Sequence, residues 1–131
     1  MNIKGSKTEK NLWTAFSGES QARNKYIYFS KVAMDEGYDD VASVFEKTAL
    51  QEVSHAESIL RFLDGIKDTK SNLKRSIQTE NYESTTMYKE FEKVALEEGF
   101  PEIANFFKEI SKIEEEHEKK FTELLKSILD K

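Results

Sequence analysis

The strongest constraint on the fold of this chain is an internal repeat. The segment VAMDEGYDDVASVFEKTALQEVSH, residues 32–55, lies over VALEEGFPEIANFFKEISKIEEEH, residues 94–117, at a fixed offset of 62 residues. Both copies contain a Glu-Gly-aromatic triplet, and glycine after a helical pattern is typical of a helix end followed by a turn. The repeat predicts two copies of one helical hairpin. Because each hairpin buries one face only, two together are expected to close a bundle.

The rest of the sequence favours an all-α fold. One proline and five glycines among 131 residues leave few helix breakers, and apolar residues recur every three or four positions. No stretch alternates polar and apolar residues with period two, so strands are not expected. We predict one domain, residues 1–131, with four helices. The first is expected from about Lys7 to Glu36, and the second from about residue 40 to 64, with Asp39 and Asp40 as candidate N-caps. The third carries an apolar stripe from Leu73 to Val94, and the fourth opens with Pro101 and continues through Ile128.

The composition restricts the function classes. With 25 Asp+Glu against 20 Lys+Arg, a net charge of -5 and no basic run, nucleic acid and anionic membranes are poor partners. No apolar stretch is long enough to span a membrane, and MNIKGSKTEKN lacks the apolar core of a signal peptide, so a cytoplasmic location is expected. The chain has no cysteine, which excludes thiolate zinc and iron–sulfur sites within it. Any metal must therefore be held by oxygen and nitrogen.

Acidic residues and both histidines of the chain interrupt the apolar stripes of the predicted helices. In chain order, these residues are Glu19 on the first helix, Glu52 and His55 on the second, Glu80 and Glu83 on the third, and Glu114 and His117 on the fourth. A carboxylate on a buried stripe is costly unless it is paired or bound to a cation. Four helices that each supply at least one such group indicate a shared polar site.

A pair of divalent metal ions accounts for this pattern. Residues three apart on a helix point the same way, so each Glu-x-x-His offers a carboxylate and an imidazole to one point. Two such pairs with a glutamate from each other helix make four carboxylates, whose charge two divalent ions neutralise. Oxygen and nitrogen ligands suit iron, with manganese or zinc as alternatives. A single Glu-x-x-His motif would more often lie on a solvent-exposed face of a helix, but two copies at the repeat offset favour metal binding.

A family resemblance supports this interpretation. The stretches KGSKTEKNL, GESQARN, QEVSH, YESTTMYKEF, ALEEGFPEIANFF and EEEHEKKF resemble rubrerythrin in its ferritin-like di-iron domain, over nearly the whole chain. The resemblance implies a ferritin-like four-helix bundle with two iron ions. It also implies reduction of hydrogen peroxide in oxidative-stress defence.

The resemblance also implies roles for individual residues. Glu19 with His55 would hold the first iron, and Glu83 with His117 the second. The glutamates of the two Glu-x-x-His pairs, Glu52 and Glu114, would bridge the metals. Tyr26 and Tyr88, which correspond in the repeat, are candidate hydrogen-bond donors to the ligating carboxylates, with core packing an equally weighted alternative.

One position departs from the family pattern. The resemblance leads us to expect a glutamate directly before the Met-Tyr pair, where this chain has Thr86. In the family that glutamate exchanges with the histidine on the first iron, and a neutral hydroxyl cannot balance a ferric ion. We therefore expect this iron to stay on His55 in both oxidation states. Glu80 is six residues earlier, about 9 Å along the helix axis, and is expected beside the ligands rather than among them.

A second departure concerns the electron supply. Full-length rubrerythrins carry a C-terminal rubredoxin domain with a four-cysteine iron site, whereas shorter members such as sulerythrin do not. Because this sequence has no cysteine, we expect electrons from a separate donor such as a free rubredoxin.

The connection between the second and third predicted helices indicates a dimer. In rubrerythrin-like bundles these helices run in the same direction, so their connection must cross the length of the bundle. The segment GIKDTKS, residues 65–71, reaches roughly 25 Å when extended, less than the roughly 37 Å of the second helix. We therefore expect a homodimer in which two copies exchange helical hairpins, so that each metal site draws on both.

Two other functions compete with a di-iron peroxidase that takes electrons from an external donor. The first is a ferroxidase or another oxidase that reacts with O₂, which shares the metal chemistry. The second is a structural helical bundle without catalysis, in which the stripe carboxylates pair with Arg23 or Lys25. The structural bundle predicts no bound metal.

Overall fold

The structure, a computed structural model, describes residues 1–130, and Lys131, the last residue of the predicted domain, lies outside the described residues. The helices are α1 (Lys7–Asp35), α2 (Asp39–Phe62), α3 (Thr69–Tyr82), α4 (Tyr88–Glu97) and α5 (Pro101–Leu129), and a π-helical turn at Glu83–Met87 joins α3 to α4. No strand occurs among residues 1–130, so the predicted all-α class is confirmed. The limits of α1, α2 and α5 agree with the predicted helices to within about two residues. The predicted N-cap of α2 is wrong, because Tyr38 occupies that position and Asp39 and Asp40 lie in the first turn of the helix.

The third predicted helix differs from the structure in two ways. It begins at Thr69, inside the predicted connection of residues 65–71, because Asp68 accepts a hydrogen bond from the Ser71 N–H and caps the helix. It also contains the π turn, which apolar periodicity did not reveal. The dihedral angles are helical at both ends of the turn, with φ -64 and ψ -43 at Glu83 and φ -62 and ψ -57 at Met87.

The chain divides into two compact units, Met1–Ile66 and a second that begins at Lys67. The first unit is a hairpin of α1 against α2. In the second unit, α3, the π turn and α4 all contact α5. Each unit corresponds to one copy of the sequence repeat, and the single domain over residues 1–131 stays a prediction.

The turns inside the two hairpins have the same geometry. Gly37 and Gly99 adopt φ values of +83° and +85°, which residues with a Cβ atom rarely adopt. The N–H of the following aromatic residue then reaches back to an alanine carbonyl, from Tyr38 to Ala33 and from Phe100 to Ala95, each at 2.8 Å. The Glu-Gly-aromatic triplet therefore ends one helix and starts the next in both copies.

Small residues line the helix–helix contacts, and aromatic clusters lie beside them. The buried residues are Ser30, Ala33, Ala42 and Ala49 in the first hairpin, and Ser84, Ala95, Ala104 and Ser111 in the second. Tyr26, Phe29 and Phe45 form one cluster with ring centroids 5.6–6.4 Å apart. The repeat places Tyr88, Phe91 and Phe107 in a second cluster, with centroids 5.5–6.0 Å apart. Among residues 1–130, no helix has the length and apolar character needed to cross a membrane.

Candidate metal centre

The first hairpin brings three potential ligands together. Glu19 on α1 meets Glu52 and His55 on α2, and one ligand atom from each lies within 4.8 Å of the others. The Nδ1 atom of His55 is 3.4 Å from Oε2 of Glu19. The three residues meet because Glu52 and His55 share one face of α2, and α1 packs along that helix.

The second hairpin holds a matching group. Glu80 on α3 meets Glu114 and His117 on α5, again with ligand atoms within 4.8 Å of one another. The Nδ1 atom of His117 lies 3.5 Å from Oε1 of Glu80 and 3.9 Å from Oε2 of Glu114. Each hairpin thus supplies two carboxylates and one imidazole.

The burial of these carboxylates favours a bound cation. The side chains of Glu19, Glu80 and Glu114 are 27%, 17% and 16% exposed. Within residues 1–130, Oε2 of Glu19 and Oε2 of Glu80 are buried and accept no hydrogen bond. A buried carboxylate oxygen without a donor is costly, and a metal ion is a partner that removes this cost. The donor set and the two unsatisfied oxygens therefore both fit a metal.

The structure groups Glu80, rather than the predicted Glu83, with Glu114 and His117. The physical reason is the π turn, which holds one residue more than an α turn. Glu80 follows Glu19 by 61 residues, whereas His117 follows His55 by 62, so the extra residue shifts the register upstream of the turn. The expectation that Glu80 lies outside the ligand group therefore differs from the observed geometry. A change of repeat offset from 62 to 61 was the sequence signal for it.

The other predicted site residues lie close by along the chain. Glu83 is the half-buried first residue of the π turn, and Thr86 is exposed in the same turn with its Oγ1 atom 3.4 Å from that of Thr85. The observed contacts of Tyr26 and Tyr88 are the ring contacts of the two aromatic clusters. The roles of these four residues at a metal centre stay predictions.

The two ligand groups define a class of protein. Helices that carry paired carboxylates and an imidazole in two copies are typical of di-metal carboxylate proteins. The absence of cysteine from the sequence leaves oxygen and nitrogen as the donors, and this set suits iron.

Comparison with known proteins identifies the family. The family model described as rubrerythrin matches residues 10–125. The chain is 45% identical to rubrerythrin of Porphyromonas gingivalis, with 98% of this chain and 71% of that protein covered. It is 43% identical to rubrerythrin of Nitratidesulfovibrio vulgaris, with 97% of this chain and 73% of that protein covered. The chain therefore belongs to the rubrerythrin family, which confirms the resemblance and the ferritin-like class.

The match with a more distant relative extends over a larger share of that relative's length. The chain is 30% identical to the uncharacterized protein MJ0746 of Methanocaldococcus jannaschii, with 98% of this chain and 88% of that protein covered. The match with the Porphyromonas gingivalis protein extends over 142 residues, more than the 131 residues of this chain. That relative therefore has residues inside the matched region that this chain lacks.

Proposed function

We propose that this protein is a non-haem di-iron peroxidase that reduces hydrogen peroxide to water with electrons from an external donor. The observation that carries the proposal is the pair of Glu–Glu–His groups, in which Glu19 and Glu80 each hold a buried oxygen without a hydrogen-bond donor. Membership of the rubrerythrin family supports iron as the metal and peroxide defence as the role.

Six residues would hold the metal ions. Glu19, Glu52 and His55 form one ligand group, and Glu80, Glu114 and His117 form the other. The four carboxylates balance the charge of two divalent ions, so the site is neutral when loaded. Glu83 stays a candidate for an additional ligand because it lies one helical turn after Glu80.

Iron bound in both groups would supply the two electrons that H₂O₂ and two protons require to form two water molecules. The chain's own contribution is to keep the donors in place and the carboxylates partly shielded from water, while the side chains of His55 and His117 are 60% and 50% exposed. Manganese and zinc suit the same oxygen and nitrogen donors, but zinc has no redox chemistry to offer. The proposal therefore needs iron or another redox-active metal.

We propose that the electrons arrive from a separate redox protein such as a rubredoxin. The 131 residues contain no cysteine, so they cannot form a thiolate-ligated iron centre. The proposed location is the cytoplasm, where such a donor would be available.

The structural-bundle alternative is less well supported. It requires the stripe carboxylates to be neutralised by basic residues, with Arg23 or Lys25 as candidates. The Nη1 atom of Arg23 instead donates to Oδ1 of Asn24 at 2.9 Å. Among residues 1–130, the buried Oε2 atom of Glu19 accepts no hydrogen bond, and it lies 3.4 Å from Nδ1 of His55, a residue of the same ligand group.

The proposed assembly is a homodimer in which two copies exchange hairpins. Helix α2 has 24 residues and is about 36 Å long. The connection from Phe62 to Thr69 has six residues and spans at most roughly 22 Å. If α2 and α3 run in the same direction within one bundle, as the family resemblance implies, this connection is too short. The two groups of one di-iron centre would then come from different copies.

The test is anaerobic loading with Fe(II), followed by mixing with H₂O₂ or with O₂ while the absorbance of the oxidised centre is recorded. We expect two irons per chain and much faster oxidation by peroxide than by O₂. His55→Ala and His117→Ala should each lose one iron per chain. Glu115→Gln, an exposed position on α5, is the matched control and should keep both.

Two results would contradict the proposal. Equal or faster oxidation by O₂ would move the assignment to a ferroxidase or other oxidase. No bound iron, manganese or zinc in the wild type, with unchanged stability in both histidine variants, would favour the structural bundle.

A further inference from the structure

The π turn of the second hairpin has no counterpart in the first. Helix α1 runs unbroken from Lys7 to Asp35, whereas the equivalent segment of the second hairpin is interrupted at Glu83–Met87. A π turn is less stable than an α turn and usually needs a compensating contact. A contact that stabilises this π turn also affects the ligand group of Glu80, Glu114 and His117, because the turn sets the register of Glu80.

The π turn leaves one backbone carbonyl without its helical donor. The N–H of Tyr88 bonds to the carbonyl of Glu83, five residues back, instead of to that of Ser84, four residues back. Ser84 is 4% exposed, so water does not readily replace the missing donor. A buried carbonyl in this position requires another partner.

Ser111 supplies that partner from the opposite helix. Its hydroxyl donates to the Ser84 carbonyl at 2.8 Å, and Ser111 is itself 4% exposed. A helical serine more commonly turns its hydroxyl to a carbonyl of its own helix. At the turn's other end, the hydroxyls of Ser84 and Thr85 both donate to the carbonyl of Asn81.

The first hairpin supports this interpretation by contrast. The repeat offset pairs Ser111 with Ala49, which is 3% exposed and has no hydroxyl. Helix α1 has no π turn opposite Ala49 and needs no additional donor. The hairpin with the π turn therefore has a hydroxyl at this position, on Ser111, and the hairpin without the turn has the methyl group of Ala49.

We propose that Ser111 is a positioning residue that holds the π turn and thereby keeps Glu80 in register with Glu114 and His117. Each residue of an α-helix turns by about 100°, so removing the extra residue of the turn would rotate Glu80 off the face that meets α5. Ser111 lies three residues before Glu114 on α5, one turn from the ligands. This inference rests on the proposed metal site for its functional consequence, but the turn itself can be tested without metal.

The test compares Ser111→Ala with Ser30→Ala. Ser30 is a matched control because its buried hydroxyl also donates across its hairpin, to the Ala42 carbonyl at 3.0 Å, where no π turn is present. Two quantities are measured: hydrogen exchange of the Tyr88 backbone amide in the metal-free protein, and Co(II) affinity by calorimetry. Both variants lose one hydrogen bond of the same kind, so a general loss of stability affects them alike.

We expect Ser111→Ala to exchange the Tyr88 amide about tenfold faster and to bind one of two Co(II) ions at least about tenfold more weakly, since partners that orient ligands have effects of this size. Ser30→Ala should leave both quantities within about twofold of wild type. Ser111→Thr keeps the hydroxyl and should retain wild-type binding. If Ser111→Ala does not fold, Ser111→Thr decides the matter, because a folded threonine variant that loses one ion overturns the proposal.

The outcomes separate this inference from the proposed function. Tyr88 exchange in Ser111→Ala equal to that in Ser30→Ala would overturn the role of Ser111, whatever the metal content. A wild-type protein that binds no Co(II) or Fe(II) would overturn the metal site, and the exchange measurement would still decide whether Ser111 holds the turn.

Discussion

The carboxylates of Glu19 and Glu80 differ from the other acidic groups in how their oxygen atoms are satisfied. Within residues 1–130, they alone have a buried carboxylate oxygen without a hydrogen-bond donor. The ion pair of Lys119 with Glu115, by contrast, joins side chains that are 71% and 60% exposed. An exposed pair of that kind contributes little to stability, whereas a buried carboxylate oxygen that accepts no hydrogen bond destabilises the metal-free fold. A bound cation would coordinate these oxygens and remove this destabilisation.

At the residue scale, Glu80→Gln should have effects of opposite sign on stability and binding. In the metal-free protein Oε2 of Glu80 is buried without a hydrogen-bond donor, and an amide in place of the carboxylate should raise the free energy of unfolding by about 1 kcal/mol. Affinity for one of two metal ions should fall, because an amide is a weaker ligand than a carboxylate. Urea unfolding and Fe(II) titration measure the two effects.

Glu115→Gln is the control for this pair of measurements, since Glu115 is exposed on α5. It should change neither quantity. Glu83→Gln serves as a comparison: a larger loss of affinity there than in Glu80→Gln would return the ligand role to Glu83.

At the scale of elements, the ends of the helices show how local hydrogen bonds set boundaries. The Ser6 side chain accepts from the Glu9 N–H at 3.0 Å and begins α1, and Asp68 has the same role at α3. The two caps differ in charge. Hydrogen bonds from Ser71, from its side chain and then its backbone N–H, lower the pKa of Asp68 below its ordinary value of 3.8.

The lowered pKa of Asp68 predicts a dependence of stability on acid pH. A carboxyl whose pKa is lower in the folded state contributes stability above its unfolded pKa, and this contribution is lost as pH falls through the folded pKa. The melting temperature of wild type should therefore exceed that of Asp68→Asn by a constant amount above about pH 5. The difference should shrink as the pH falls below about 4.

Ser6→Ala provides the neutral comparison. Loss of this cap should lower the free energy of unfolding by about 1 kcal/mol with little dependence on pH. Melting curves from pH 2 to pH 7 measure both variants. A difference between wild type and Asp68→Asn that stays constant down to pH 2 would contradict the role of the Asp68 charge.

At the scale of the whole molecule, each hairpin carries large apolar side chains outside its own core. Phe29, Val32 and Val41 are 47%, 55% and 47% exposed in the first hairpin, and Val94 and Ile103 are 38% and 49% exposed in the second. Exposed apolar side chains in such numbers are typical of surfaces that associate. This agrees with the proposed dimer that exchanges hairpins.

Lengthening the connection tests the proposed dimer. Insertion of about twelve Gly/Ser residues after Lys67 would let one chain span the length of α2, because each residue adds up to about 3.5 Å. We expect wild type to be a dimer by light scattering and the insertion variant to shift toward monomer, with two metals per chain in both. A monomeric wild type that still binds two metals would contradict the exchange of hairpins.

Some features of this protein are set by the order of its residues alone. The two hairpins follow from the 62-residue repeat, their turns from Gly37 and Gly99, and the Glu-x-x-His pairs from their spacing of three. These features depend on contacts within a few residues, so periodicity and turn chemistry were sufficient to predict them. Glu19 was also predicted in this way, since it lies on the apolar stripe of an uninterrupted helix.

Only the tertiary structure decided which glutamate of the third helical segment joins His117. The family resemblance implied Glu83 there, whereas the structure groups Glu80 with Glu114 and His117 across the π turn. The turn depends on a donor from α5, where the Ser111 hydroxyl meets the carbonyl of Ser84, 27 residues away in sequence. A contact between residues so distant in the chain has no periodic signature, so the register of Glu80 emerges only when the two helices pack.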